Sequence, residues 1–133
     1  MIPAAFDYHA PTSVEEALQL LSALGVERDV KVLAGGQSLI PVMKLRLAAP
    51  EAIVDLGRIE SLRGICEDGD SLVIGAMTSH DEVARSSAVA THALLLSRAV
   101  QTVADPQVRH RGTFGGALAH ADPAGDLLAP ALA

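Results

Sequence analysis

The sequence predicts a mixed α+β fold organised in two units, and three patterns carry that prediction. Apolar residues recur at helical spacing over residues 14–24 and again over 89–103. Short β-branched and apolar runs fall between them, at residues 30–34, 53–56, 62–66 and 72–76. The pattern changes near Gly57 to Ser61, which separates residues 1–57 from 58–133.

Each element has a local reason. Residues 1–11 read as an irregular lead-in. Thr12 and Ser13 can cap the first helix, with Glu15 and Glu16 three residues later as capping-box partners. Val14, Ala17, Leu18, Leu21 and Leu24 form its apolar stripe, and Gly25 ends it. Residues 30–34 make a strand that Gly35 and Gly36 break. A short helix fits residues 39–47, with Pro41 in its first turn. Residues 53–56 form the next strand. Asp68-Gly69 marks the turn of a hairpin between 62–66 and 72–76. Ser79 followed by Glu82 starts another short helix. Val89, Ala93, Leu96, Val100 and Val103 predict one longer amphipathic helix, which Asp105-Pro106 stops. Residues 107–121, rich in glycine and arginine, read as loop. Asp122 before Pro123 is an N-cap and N1 pair, which places a last helix there.

Composition excludes several classes. Half of the residues are hydrophobic, too many for a disordered chain. The 133 residues hold one domain with a real core and are short for two. Aromatic residues make up only 2%, so Ala, Leu and Val must fill that core. With 10 basic and 16 acidic residues the net charge is −6, which repels a phosphate backbone, so no nucleic-acid partner is expected. The single cysteine, Cys66, excludes an intrachain disulfide and reads as a core or hairpin residue. The apolar runs fall short of the ~20 residues that span a bilayer, and no signal peptide is visible, so the default expectation is cytoplasmic. CxxC, HExxH and His-rich tracts are all missing. His110, His120 and Asp122 could be taken for ligands, but His120 and Asp122 stand two apart with no third ligand at suitable spacing, so hydrogen-bonded loop histidines are the better reading. His9, His80 and His92 follow no pattern, and no metal site is expected.

Two glycine motifs are candidates for chemistry. In Val32-Leu-Ala-Gly-Gly-Gln-Ser-Leu39 a strand runs into two glycines and then a hydroxyl residue at a helix start. Glycines permit positive φ and close backbone approach, and successive amides there make an anion nest suited to a phosphate or pyrophosphate. On spacing alone a tight strand–helix turn without ligand is the better reading, and neither GxGxxG nor GxxxxGK[ST] is present. The second motif runs from Arg109 to Asp126. It holds Thr113, the pair Gly115-Gly116, and Asp122 and Asp126 four residues apart. Asp122 reads as a helix cap, whereas Asp126 suits a charge-assisted hydrogen bond to a ligand hydroxyl. Arg109 and Arg111 fit either a solvated pair or an anion dock. The apolar run from Leu127 to Ala133 shows no packing partner in the sequence. It suggests missing downstream sequence, a partner chain or self-association.

Together the motifs resemble those of the FAD-binding domain of molybdenum hydroxylases, of the carbon monoxide dehydrogenase and xanthine dehydrogenase kind. The family's AGGxSL motif matches Ala34 to Leu39, and its TxGGxxxxxDPxxD motif matches Thr113 to Asp126. Ile2-Pro-Ala-Ala-Phe-Asp-Tyr8, Pro41-Val-Met-Lys-Leu-Arg46, Ile74-Gly-Ala-Met-Thr78 and Asp105-Pro-Gln-Val-Arg109 match as well, in collinear order over nearly the whole chain. The resemblance implies the N-terminal part of a two-subdomain FAD-binding fold of the molybdopterin dehydrogenase (PCMH-like) type, with FAD between the subdomains. It implies that Ala34, Gly35, Gly36, Gln37, Ser38 and Leu39 wrap the pyrophosphate. Thr113, Phe114, Gly115, Gly116 and Ala117 would form a second wall, Asp126 would bond a flavin-side hydroxyl, and Thr78 would lie near the isoalloxazine ring. Many members carry Asn where this chain has Ala117, so one polar contact is lost or a backbone donor replaces it.

The implied function is an FAD electron-transfer subunit working with a molybdenum-cofactor large subunit and an iron–sulfur small subunit, with no catalytic acid or base in this chain. The rival readings are a truncated, non-enzymatic paralogue that holds FAD poorly, and a phosphate-binding module unrelated to flavin.

Overall fold

The computed structural model describes residues 1–133, and the chain divides into two compact units, Met1–Ser61 and Leu62–Ala133. The sequence reading placed the boundary after Gly57. The two short 3-10 turns at Leu56–Arg58 and Glu60–Leu62 occupy the intervening stretch.

The first unit is a three-stranded parallel sheet with two helices. The strands β1 (Asp7–His9), β2 (Val30–Leu33) and β3 (Ala52–Asp55) lie in the order β1-β3-β2. Ala52, Ile53 and Val54 are successive in β3 and all buried, the signature of a central strand covered on both faces. Strand β1 corrects the irregular lead-in. Its three polar and aromatic residues carry no alternation, but Asp7 N–H bonds Glu51 O at 2.9 Å and Arg28 bridges Asp7 and the same carbonyl at 2.7 and 2.9 Å. Helix α1 (Val14–Leu24) begins at the expected cap: Ser13 accepts from Glu16 N–H at 3.1 Å, while Glu16 accepts from Thr12 N–H at 2.8 Å. Helix α2 (Leu39–Lys44) is shorter than the expected 39–47 and carries Pro41 within its first turn.

The second unit holds the hairpin β4 (Ile65–Asp68) and β5 (Ser71–Ile74), whose two-residue turn is Gly69-Asp70. Exposed Cys66 faces Val73 across it. Six helices follow: α3 (His80–Arg85), α4 (Ser87–His92), α5 (Leu94–Val100), α6 (Pro106–Arg111), α7 (Phe114–His120) and α8 (Leu128–Leu132). Val83, Val89, Leu96, Val100 and Leu127 form the buried core, with Ile65, Leu72, Ile74, Phe114 and Ala117 packed against it.

Further expectations are corrected here. The single helix over 89–103 is two, broken at Ala93, whose φ of −138° and ψ of 59° are not helical. Asp105-Pro106 starts a helix: Asp105 accepts from Val108 N–H at 3.0 Å and Pro106 takes the first position. Residues 107–121 are therefore mostly helical. Asp122 caps no helix; its carboxylate closes a turn by accepting from Ala124 N–H at 2.9 Å. Of the apolar end, Leu127 is a core residue, whereas Leu132 is 90% exposed. No helix is long and apolar enough to cross a membrane.

Candidate functional site

The first glycine motif leaves the carboxyl end of β2, the end of a parallel sheet at which ligands bind. Leu33, the residue before Ala34, stands beside Asp55 in register. Asp55 is held twice. It accepts from Gly57 N–H at 2.8 Å and from the Tyr8 hydroxyl at 2.5 Å. The second bond joins β1 to β3 and raises the Tyr8 pKa, because Asp55 retains the phenolic proton. Sequence reasoning missed this pair; nothing local signals a contact across 47 residues.

Of the two glycines, only Gly36 has positive φ, at 78°. A Cβ placed there would stand 2.6 Å from Ile40 Cδ1 and 3.3 Å from Leu33 Cδ1. The loop's carbonyls are used: Gly36 O accepts from Ile40 N–H at 3.1 Å and Ser38 O from Val42 N–H at 3.3 Å. Its amides are not, since those from Gly35 to Leu39 meet no protein acceptor. The Ser38 hydroxyl also makes no capping bond. Unspent donors on a turn that only glycine adopts comfortably suit an anionic group such as a pyrophosphate.

The second motif is built differently. It is the first turn of α7, with Thr113 as N-cap accepting from Gly116 N–H at 3.3 Å. Phe114 N–H bonds Thr78 O at 2.9 Å, Gly115 N–H bonds Ala76 O at 2.9 Å, and Ala117 N–H bonds Thr113 O at 3.0 Å. Every amide from Phe114 to Ala117 is thus spent. What Gly115 provides is closeness: a Cβ there would lie 2.6 to 2.8 Å from Ala76 Cβ, Cα and O. Ala117 packs on the core and its N–H is spent on Thr113 O, so it offers no donor in place of an Asn side chain.

The remaining expected residues divide. Thr78 is 0% exposed and its hydroxyl is engaged within the unit. Asp126 is exposed in the turn before α8. Arg109 donates to Val103 O at 2.8 Å and Ala104 O at 3.3 Å, so it braces the turn after α5. His110 lies 3.5 Å from Asp81, which also pairs with Arg85 at 3.0 Å.

His80, at the start of α3, is buried beside Gly112, and its Nδ1 has no partner. Burial lowers its pKa, because a protonated ring there would be poorly solvated. The unfolded chain therefore binds this proton more readily. Stability is fully present above the unfolded value of about 6.5 and is lost as pH falls from there through the folded value. Thermal melts between neutral and mildly acidic pH should show this loss, and His80→Gln should flatten it. An unchanged slope would remove His80 as the cause.

Residues 4–133 match the family described as the FAD binding domain in molybdopterin dehydrogenase. The chain belongs to that family. It is 53% identical over 126 residues to the carbon monoxide dehydrogenase medium chain of Hydrogenophaga pseudoflava, covering 95% of this chain and 43% of that one. It is 45% identical over 122 residues to the nicotine 6-hydroxylase medium subunit of Paenarthrobacter nicotinovorans, covering 92% and 42%. Among solved structures, carbon monoxide dehydrogenase from Hydrogenophaga pseudoflava superposes with a TM-score of 0.90 at 54% identity, over 94% of this chain and 43% of that one. The α+β expectation is met, and the chain spans less than half the length of these relatives. Family membership also sets aside the reading of a phosphate module unrelated to flavin.

Proposed function

We infer that this chain forms the FAD-holding part of an electron-transfer subunit in a molybdenum hydroxylase. Bound FAD would take electrons from the iron–sulfur clusters of a small subunit, after hydroxylation at the molybdenum cofactor of a large subunit, and pass them to an external acceptor. The observation that carries this reading is the set of unspent amides from Gly35 to Leu39 around left-handed Gly36, in a chain of an FAD-binding family. Ala34 leads into the loop, and Gly35, Gly36, Gln37, Ser38 and Leu39 hold the pyrophosphate through those amides and the Ser38 hydroxyl. Residues Thr113, Phe114, Gly115, Gly116 and Ala117 offer a side-chain-poor surface for close approach rather than donors. Asp126, exposed and without a protein partner, accepts from a cofactor hydroxyl. No acid or base of this chain takes part in substrate chemistry. Relatives named for carbon monoxide and for nicotine share this domain at 53% and 45% identity, which fits a substrate pocket in another subunit.

The flavin released when the purified chain is denatured and separated by chromatography should be FAD. FMN, or a nucleotide without flavin, would sink the assignment.

A further inference from the structure

Segment 75–80 runs through the second unit as a brace between two parts of it. On one side Gly75 N–H bonds Gly64 O at 2.8 Å and Met77 N–H bonds Leu62 O at 2.7 Å. On the other, Ala76 O and Thr78 O take the amides of Gly115 and Phe114, both at 2.9 Å, and His80 N–H bonds Gly112 O at 3.0 Å. Ser79 and Thr113 form a bridge pair within this ladder. Thr78 is where the two sides meet. Its hydroxyl donates to Gly64 O and accepts from Gly64 N–H, both at 3.0 Å, while its own carbonyl holds Phe114. Gly64 has a φ of 102°, so this carbonyl and amide belong to a turn that few residues other than glycine adopt. Glycines set the spacing on both sides. A Cβ at Gly75 would run into Leu62 O, and one at Gly115 would run into Ala76.

We propose that Thr78 is a positioning residue for the flavin site: through segment 75–80 it fixes the turn at residues 113–116, and its hydroxyl does not touch the cofactor. The inference rests on the flavin reading given above. It assigns the Gly75-Ala76-Met77-Thr78 motif a task that the spent hydroxyl allows and direct contact does not. Without the hydroxyl, the Gly64 turn loses both of its bonds to Thr78, the segment shifts, and residues 113–116 follow because two amides are anchored to it.

The full chain is compared with Thr78→Val and Thr78→Ser. Valine keeps the shape and loses both hydrogen bonds; serine keeps the bonds and loses a methyl. Thr78→Val should raise the FAD Kd about tenfold, the loss expected when two modest bonds go. At saturating FAD it should also change the visible circular dichroism of the bound flavin, which a uniform loss of stability would not do. Thr78→Ser should bind as the parent does. Parent-like affinity and dichroism in Thr78→Val overturn the proposal, as does equal loss in both variants. Amide exchange of the parent chain is decisive even if Thr78→Val does not fold. Without flavin, Gly75, Met77, Phe114 and Gly115 should exchange as one cooperative set; independent exchange overturns the proposal. A parent chain that takes up no FAD sinks the flavin reading alone, because the exchange measurement still decides whether brace and turn act together.

Discussion

Gly36→Val is expected to leave the chain without FAD while the first unit stays folded. At a φ of 78° a β-branched residue is strained, at a cost of about 1–3 kcal/mol. The nearest obstacle is Ile40 Cδ1, the far end of a flexible side chain, so the fold can give way there. The loop cannot give way without moving its unspent amides, since Gly36 O anchors Ile40 N–H and ties the turn to α2. Those amides are the whole case for a pyrophosphate at this loop. Their displacement should weaken FAD binding at least ~100-fold, near 2.7 kcal/mol. Flavin absorbance per chain after gel filtration, with far-ultraviolet circular dichroism as the folding control, checks this. Full occupancy in the variant would move the pyrophosphate away from residues 34–39.

Capping was legible because it is local. Ser13 with Glu16 and Ser79 with Glu82 satisfy donors within three residues, and the sequence shows both partners. Features set by distant contact were hidden. Strand β1 exists because β3 and Arg28 offer partners to Asp7, and no pattern in Asp7-Tyr8-His9 announces them. The break at Ala93 falls inside an unbroken apolar stripe, because α4 and α5 contribute to the same core that one straight helix would have lined. Asp105-Pro106 obeys two rules at once. Proline disfavours helix at the residue before it and is itself well suited to a first helical position. The second rule decides the local structure once Asp105 caps Val108. Asp122-Pro123 shows the same ambiguity with the opposite result, a turn closed on Ala124.

At the candidate site, the first motif was readable down to its left-handed glycine. The second motif stood out in the sequence, but its form did not: two adjacent glycines read as loop, yet Gly115 and Gly116 open a helix. The poor helix propensity of Gly115 is outweighed by the room that Ala76 requires. Thr78 was seen as a motif member, and only its bonds to Gly64 reveal what the hydroxyl is used for.

Gly115→Ala separates local propensity from packing. Inside a helix, glycine to alanine gains about 1 kcal/mol, so the sequence alone favours a more stable protein. The opposite is expected. The new methyl would stand 2.6 Å from Ala76 Cβ, 2.7 Å from its Cα and 2.8 Å from its O, and two of those atoms are backbone that cannot rotate aside. Either α7 or segment 75–80 must withdraw. Withdrawal stretches the Gly115–Ala76 and Phe114–Thr78 hydrogen bonds, worth about 1 kcal/mol each. Overpacking adds about 1–3 kcal/mol. Set against the propensity gain, the second unit should lose about 2–4 kcal/mol. Since Phe114 and Ala117 on the same helix pack on the core, the shift also disturbs the residues around Val83 and Val100. Urea unfolding of parent and variant, followed by circular dichroism, measures the difference, and bound flavin should fall with it. A variant that unfolds at higher urea than the parent would show that α7 and segment 75–80 can part without cost.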